Sequence, residues 1–230
     1  MSDPVLSTPG SLLQRMRVLD CLVAIPAVVV IVFYDWSLLD LSPAEWSAFG
    51  WTIAVYAALA AVSIEALRMR STAPLMAWLG REVEGEDVDP ALAREAFRVA
   101  VAQPRSGVLR LSAAWLMAPP VLCLGMWIGT RGDIGFDGRF FIVVVSTGLG
   151  AMISSAFLFF ATKRLFADVR SRLADRIPDT AERAGLVVQT SLARKVQYVV
   201  LGAVIGTSLL VVTLAQSQAC LLYTSDAADE

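Results

Sequence analysis

Two carboxylates, Asp20 and Glu65, are the ionisable side chains that fall inside long apolar stretches of this 230-residue chain. A charge within a membrane span is costly, so such residues are the first place to look for chemistry. Both sit in the end turns of their stretches. Glu65 lies three residues before Arg68, a spacing that puts the two on one helix face and favours an interfacial ion pair over a proton-handling site. Histidine is absent, which removes the commonest general base and metal ligand. Cys21 and Cys123 lie inside apolar blocks, and Cys220 is close to the end, with no disulfide pattern and no metal-ligand spacing. Paired carboxylates, HExxH, GxSxG and P-loop patterns are missing. The expectation is a chain with no enzymatic activity, cofactor or metal of its own.

The composition explains why so little chemistry is available. Of the residues 57% are hydrophobic and 17% charged, against ~25% charged in an ordinary soluble domain. The excess comes in long blocks, so the expected fold class is all-α, a polytopic membrane bundle of five transmembrane helices. A polar arm, 1–17, precedes the first span at 18–39, an apolar block at 18–34 extended toward Leu39. That span has no small-x-small cleavage site after it, and Pro26 is expected to kink it. A tight turn with Ser42-Pro43 leads into the second span, 46–67. Trp36, Trp46 and Trp51 gather at this end, as in an interfacial aromatic belt. Segment 68–110 follows. It is expected to hold an acidic loop at 81–89 and then a helix capped by Asp89, with Pro90 at its first position and its end at Pro104. The third span, 111–129, carries Pro119-Pro120, a second expected kink.

The loop 130–139 is glycine-rich but lacks a phosphate-binding pattern. The fourth span, 140–162, has a small-residue side of Ser146, Gly148, Gly150, Ser154 and Ser155, on which helix packing is expected. Segment 163–195 has Pro178 between two helical pieces. The fifth span, 196–215, contains Gly202 and Gly206 in a GxxxG arrangement that lets backbones approach closely. In a bundle of this composition such a pair serves internal packing more often than a dimer seam.

Basic residues set the expected orientation. Arg15 and Arg17, seven arginines in 68–110 and eight lysines and arginines in 163–195 make seventeen, against Arg131 and Arg139 on the other side. The amino terminus and the two long segments are therefore expected in the cytoplasm of a bacterial cell, with the chain multi-pass in its inner membrane. The outer loops are too short for a ligand-binding domain. Basic residues interleaved with acids at interfaces do not suit nucleic acid. The partner expected outright is the lipid bilayer.

The layout resembles the six-span membrane anchors of bacterial signalling proteins in which a HAMP linker and an output domain follow. The matching features are paired spans with short outer turns, two inner segments of tens of residues, the Ala93-Arg94-Glu95-Ala96-Phe97-Arg98 helix, the Thr190-Ser191-Leu192-Ala193-Arg194-Lys195 lead, and a final outward span. The resemblance covers about residues 10 to 219. It implies a membrane input region whose output is a class III adenylate or guanylate cyclase, or else a histidine kinase or chemoreceptor module. It also implies a homodimer formed through a sixth helix and linker. Sixth span, linker and output domain are absent from the chain, so no catalytic residue carries over. Residues 220–230, CLLYTSDAADE, resemble a translated sequencing adapter and are set apart from fold reasoning. Two other classes stay open: a small transporter or channel subunit, for which Pro119-Pro120 is the supporting feature, and an accessory membrane protein.

Overall fold

The structure, a computed structural model, describes residues 8–86, 88–130, 138–177 and Gly185. Among them every regular element is an α-helix: α1 Pro9–Leu38, α2 Pro43–Glu84, α3 Pro90–Gly129, α4 Gly138–Leu165 and the short α5 Ala167–Asp175. The expected fifth span at 196–215, with Gly202 and Gly206, lies outside the described residues.

Helix starts follow one local rule. Thr8-Pro9, Ser42-Pro43 and Asp89-Pro90 each place a capping side chain before a proline at the first helical position, where proline's missing N–H costs nothing. Asp89 Oδ1 accepts from the Ala91 N–H at 2.9 Å. Ser42 and Glu45 form a reciprocal capping box: the Ser42 N–H donates to Glu45 Oε2 at 2.5 Å, and the Glu45 N–H to Ser42 Oγ at 3.4 Å. The α2 end is equally explicit. Gly85 takes a φ of 71°, its N–H donates to Glu82 O, and the Glu86 N–H reaches back to Arg81 O. That is a Schellman stop, which a left-handed glycine makes inexpensive.

Two expectations are corrected here. The loop expected at 81–89 begins only after Glu84, because residues 68–84 continue α2. Pro104 does not end a helix: α3 runs uninterrupted through Pro104, Pro119 and Pro120, as α1 does through Pro26 and α2 through Pro74. A mid-helix proline costs ~3 kcal/mol in an isolated helix. Around Pro104 that cost is offset by packing, since Ala93, Ala96, Phe97, Ala100 and Gln103 are all buried.

Four helices, α1 to α4, are long and apolar enough to cross a membrane. Side-chain exposure marks where. Among the described residues, the large exposed hydrophobics fall from Val18 to Trp36, Trp51 to Met69, Leu109 to Ile128 and Phe141 to Phe160, with Val83 alone outside. Each band is about 20 residues, or ~30 Å of helix, the thickness of a hydrocarbon core. Exposed apolar residues in water would be an aggregation hazard; in lipid they are the solvated face.

Contacts divide the chain into two units. The first takes its described residues from 8–26, 59–112 and 154–177. Its core joins Leu12 and Met16 of α1, Leu75, Trp78 and Leu79 of α2, Ala93, Ala96, Phe97 and Ala100 of α3, and Phe166, Val169, Leu173 and Ile177. In sequence, these positions lie outside the four apolar bands. The helix α5 is amphipathic there, burying Val169 and Leu173 one turn apart. Arg170 ties the α4–α5 junction, donating from Nε to Phe166 O at 3.2 Å and from Nη2 to Lys163 O at 2.7 Å. Partial burial holds its guanidinium below the usual arginine pKa. The second unit draws on 27–58 and 113–153 and centres on Leu39, Leu41, Phe49, Leu122, Met126 and Val143. Trp36 meets Trp46 at a tilt and Trp46 meets the core residue Phe49 edge-on, with ring centroids 4.9 and 5.6 Å apart.

Candidate functional site

The two carboxylates singled out by sequence belong to one ionic knot in the first unit. Arg68 is its hub and is only 5% exposed. Its Nη1 meets Asp20 Oδ2 at 2.7 Å, and its Nη2 pairs with Glu65 one turn earlier. Glu65 also holds Arg17 Nη2 at 2.6 Å. Arg110 reaches in from α3, donating from Nη1 to Ser71 Oγ at 3.0 Å. The pairing expected for Glu65 and Arg68 is present, but it is half of the arrangement. Asp20 is Arg68's other partner, from a different helix and 48 residues away in the chain. Every carboxylate in the knot faces an arginine, so the knot fastens α1 to α2 and leaves no free base.

Sequence patterning passes over the one carboxylate that is buried among the described residues. Asp35 follows Phe33-Tyr34, in the polar run just after the first apolar block. In the structure it lies inside α1 and is fully buried, at 0% exposure. Neither Oδ1 nor Oδ2 has a hydrogen-bond partner. A signal is nonetheless present in the chain: Ala27, Ile31, Asp35 and Leu39 recur every four residues and form the buried stripe of α1. Opposite lies α4, whose small residues admit that stripe. A Cβ added at Gly150 would overlap the Ile31 side chain and come 3.2 Å from Trp115. One turn away is Ser146, the polar neighbour of the Asp35 carboxylate. Ser146 and Thr147 are buried, and both hydroxyls donate to Val143 O, at 3.1 and 2.7 Å. Tyr34 Oη and Trp115 Nε1 are further buried polar atoms without a partner. Arg139, the described cation of this unit, is engaged by Glu45 at 3.1 Å.

The expected packing residues separate by side. Gly150 and Ser154 are buried on α4. Gly148 is exposed, and a Cβ there would meet nothing within 4 Å, so the small-residue side is narrower than the composition suggests. A second set of close glycine contacts joins α2 and α3. Gly125 and Gly129 on α3 face Thr52 and Ala48 on α2, four residues apart on both helices. A Cβ at Gly125 would overlap the Thr52 side chain, and one at Gly129 would stand 2.7 Å from Ala48 Cβ. This is the small-xxx-small packing of membrane helices. An open cleft of about 520 Å³ runs along it, floored by these small residues and walled by Trp51, Val55 and Ile128. Near the Pro119-Pro120 pair, the Tyr56 hydroxyl donates to Ala114 O, a carbonyl in the preceding turn. A neighbouring helix thus fastens α3 one turn before the proline pair.

No family model matches the chain, and neither the curated proteins nor the solved structures contain a match to it. Function therefore rests on the residues themselves. Among those described, no group of three or more His, Cys, Asp or Glu side chains is placed to hold a metal.

Proposed function

We propose that the chain is the membrane input region of a signal-transduction protein, embedded in a bacterial inner membrane with its amino terminus in the cytoplasm. One observation carries this reading. Helices α2 and α3 leave their apolar bands without a break and go on to supply Leu75, Trp78, Ala96 and Phe97 to a packed helical core. At 42 and 40 residues they are ~63 and ~60 Å long, about twice a bilayer crossing. A continuous helix passes a shift or rotation along its length, whereas a flexible linker absorbs it. The basic asymmetry of seventeen against two supports a cytoplasmic location for that core. A class III nucleotide cyclase is the output implied by the resemblance of the layout, followed by a histidine kinase or chemoreceptor module.

A small proton-coupled transporter subunit is the second reading, favoured by the unpartnered Asp35 carboxylate. Reading the parent gene beyond Ala219 separates the two. A sixth apolar span, a HAMP-like heptad segment and an output domain are expected. A stop codon directly after the fifth span, or further spans with mid-membrane charges, would reject signal input in favour of an accessory protein or a transporter.

A further inference from the structure

We propose that Asp35 and Ser146 form a proton-binding site within the apolar band, and that proton occupancy of this site is the stimulus the region reads. The second clause rests on the signal-input reading; the first does not.

The site has no means of holding a charge. A fully buried carboxylate needs a cation or several donors to stay ionised, because desolvating the ion costs several kcal/mol even after relaxation. Asp35 has neither, since both its oxygens are buried and unpartnered. Around it, Asp40 in the turn after α1 is exposed, Tyr34 is its immediate neighbour, and Glu45 of α2 is occupied by Arg139 of α4. Tyr56 of α2 donates to Ala114 O. The α3 side chain in this packing layer, Trp115, does not titrate.

What the site offers is an acceptor. Ser146 commits its proton to Val143 O at 3.1 Å, so towards Asp35 it presents lone pairs. An ionised Asp35 gains at most one donor there, and only if the hydroxyl turns away from Val143 O. A neutral Asp35 has one O–H to give, and a side-chain adjustment that brought it onto Ser146 Oγ would complete a chain from Asp35 through Ser146 to Val143 O. The proton is the one ligand that both removes the charge and fills the vacant bond. A metal ion would need a larger set of oxygens: hard cations take six or more ligands, and no cluster of that kind occurs among the described residues. Asp35 sits one residue from the end of the Val18–Trp36 band, beside the tryptophan cluster, so the aqueous phase on that side is close.

Protonation would be coupled to helix packing. Asp35 is on the α1 stripe that meets α4, one turn from the tight Ile31–Gly150 contact. Removing the proton puts a bare charge on that seam, which favours any arrangement that admits water. A proton can thus shift a two-state equilibrium by its differential affinity for the two arrangements.

The test uses the full chain in lipid nanodiscs. Infrared difference spectra between acidic and alkaline buffer should show a protonated carboxylic C=O band that titrates, with loss of that band in Asp35→Asn. In Ser146→Ala the band should persist, shifted in frequency by loss of its acceptor. A spectrum of the unmodified protein with no protonated C=O band left at about pH 6, where exposed carboxylates are ionised, overturns the proton site, and that outcome requires no variant to fold. Loss of the acid band in Ser146→Ala but not in Asp35→Asn also overturns it. For the second clause, spin labels at Ser37 of α1 and Phe141 of α4 should show a distance distribution that shifts with pH, and Asp35→Asn should hold it at its acidic form. A titrating acid band with an unmoving distance keeps the site and removes the stimulus role. A titrating band in a parent gene that encodes no output domain keeps the site and removes the signal-input reading instead.

Discussion

Gly125 and Gly148 are both helical glycines in apolar spans, yet the structure assigns them opposite responses to the same substitution. Gly→Ala in a helix interior gains ~1 kcal/mol of intrinsic propensity. At Gly148 nothing lies within 4 Å of the new methyl, so Gly148→Ala should be neutral or stabilising by up to about that amount. At Gly125 the methyl would overlap the Thr52 Oγ1 and Cγ2 atoms and come 2.8 Å from its Cβ. Overpacking of this kind costs ~1–3 kcal/mol, so Gly125→Ala should come out about 0–2 kcal/mol destabilised once the ~1 kcal/mol propensity gain is deducted. Relative to Gly148→Ala the gap is then about 1–3 kcal/mol. Because the overlap is with one side chain, a second substitution should relieve it. Thr52→Ala removes Cγ2 and Oγ1 but keeps the Cβ, and so should recover part of the loss in the Gly125→Ala background. Thr52→Gly should recover more of the steric component. Unfolding in mixed detergent and SDS, followed by tryptophan fluorescence, reads all these variants on one scale. Equal stability of Gly125→Ala and Gly148→Ala, or no coupling between positions 52 and 125, would refute the close α2–α3 packing.

Three other substitutions probe separate features. Arg68→Met strips Asp20 of its arginine while Glu65 keeps Arg17. Breaking a buried pair costs ~3–5 kcal/mol, and because both carboxylates are partly exposed the expected loss is about 2 kcal/mol; a change below ~0.5 kcal/mol in the same unfolding assay would show that the knot contributes nothing. Gly85→Ala forces a left-handed φ of 71° on a residue with a Cβ and should lower stability by ~1 kcal/mol, with faster hydrogen exchange at the Glu86 amide as its local sign. Tyr56→Phe deletes the hydroxyl that donates to Ala114 O and should cost ~1 kcal/mol; an unchanged midpoint would mean this bond contributes nothing to the α2–α3 contact.

Local signals predict local structure well. Thr8-Pro9, Ser42-Pro43 and Asp89-Pro90 each begin a helix because capping needs only the first turn. The first four expected apolar blocks overlap the four exposed bands, and each band is about the length that crosses a bilayer. Pro104 misleads because propensity alone takes no account of the core that Ala96, Phe97 and Ala100 enter, and tertiary packing overrides a single proline. The ionic knot is half legible: Glu65 and Arg68 share a helix face, whereas Asp20 joins them only once α1 lies beside α2. Gly125-x-x-x-Gly129 is as plain a motif as Gly202-x-x-x-Gly206, but only the positions of Ala48 and Thr52 show that it is used. Asp35 is the costliest omission. Its four-residue spacing from Ile31 and Leu39 is readable, and it is passed over because it lies in the stretch by which the apolar block 18–34 is extended to 39.

The functional reading depends on α2 and α3 leaving the bilayer into the cytoplasm, and cysteine labelling in intact cells tests that most directly. In a background with Cys21, Cys123 and Cys220 replaced, single cysteines at Asp40 and Glu86, both exposed, report the two ends of α2. A membrane-impermeant maleimide should label Asp40→Cys from outside and Glu86→Cys only after permeabilisation. The reverse pattern, or labelling of both from outside, would contradict the account.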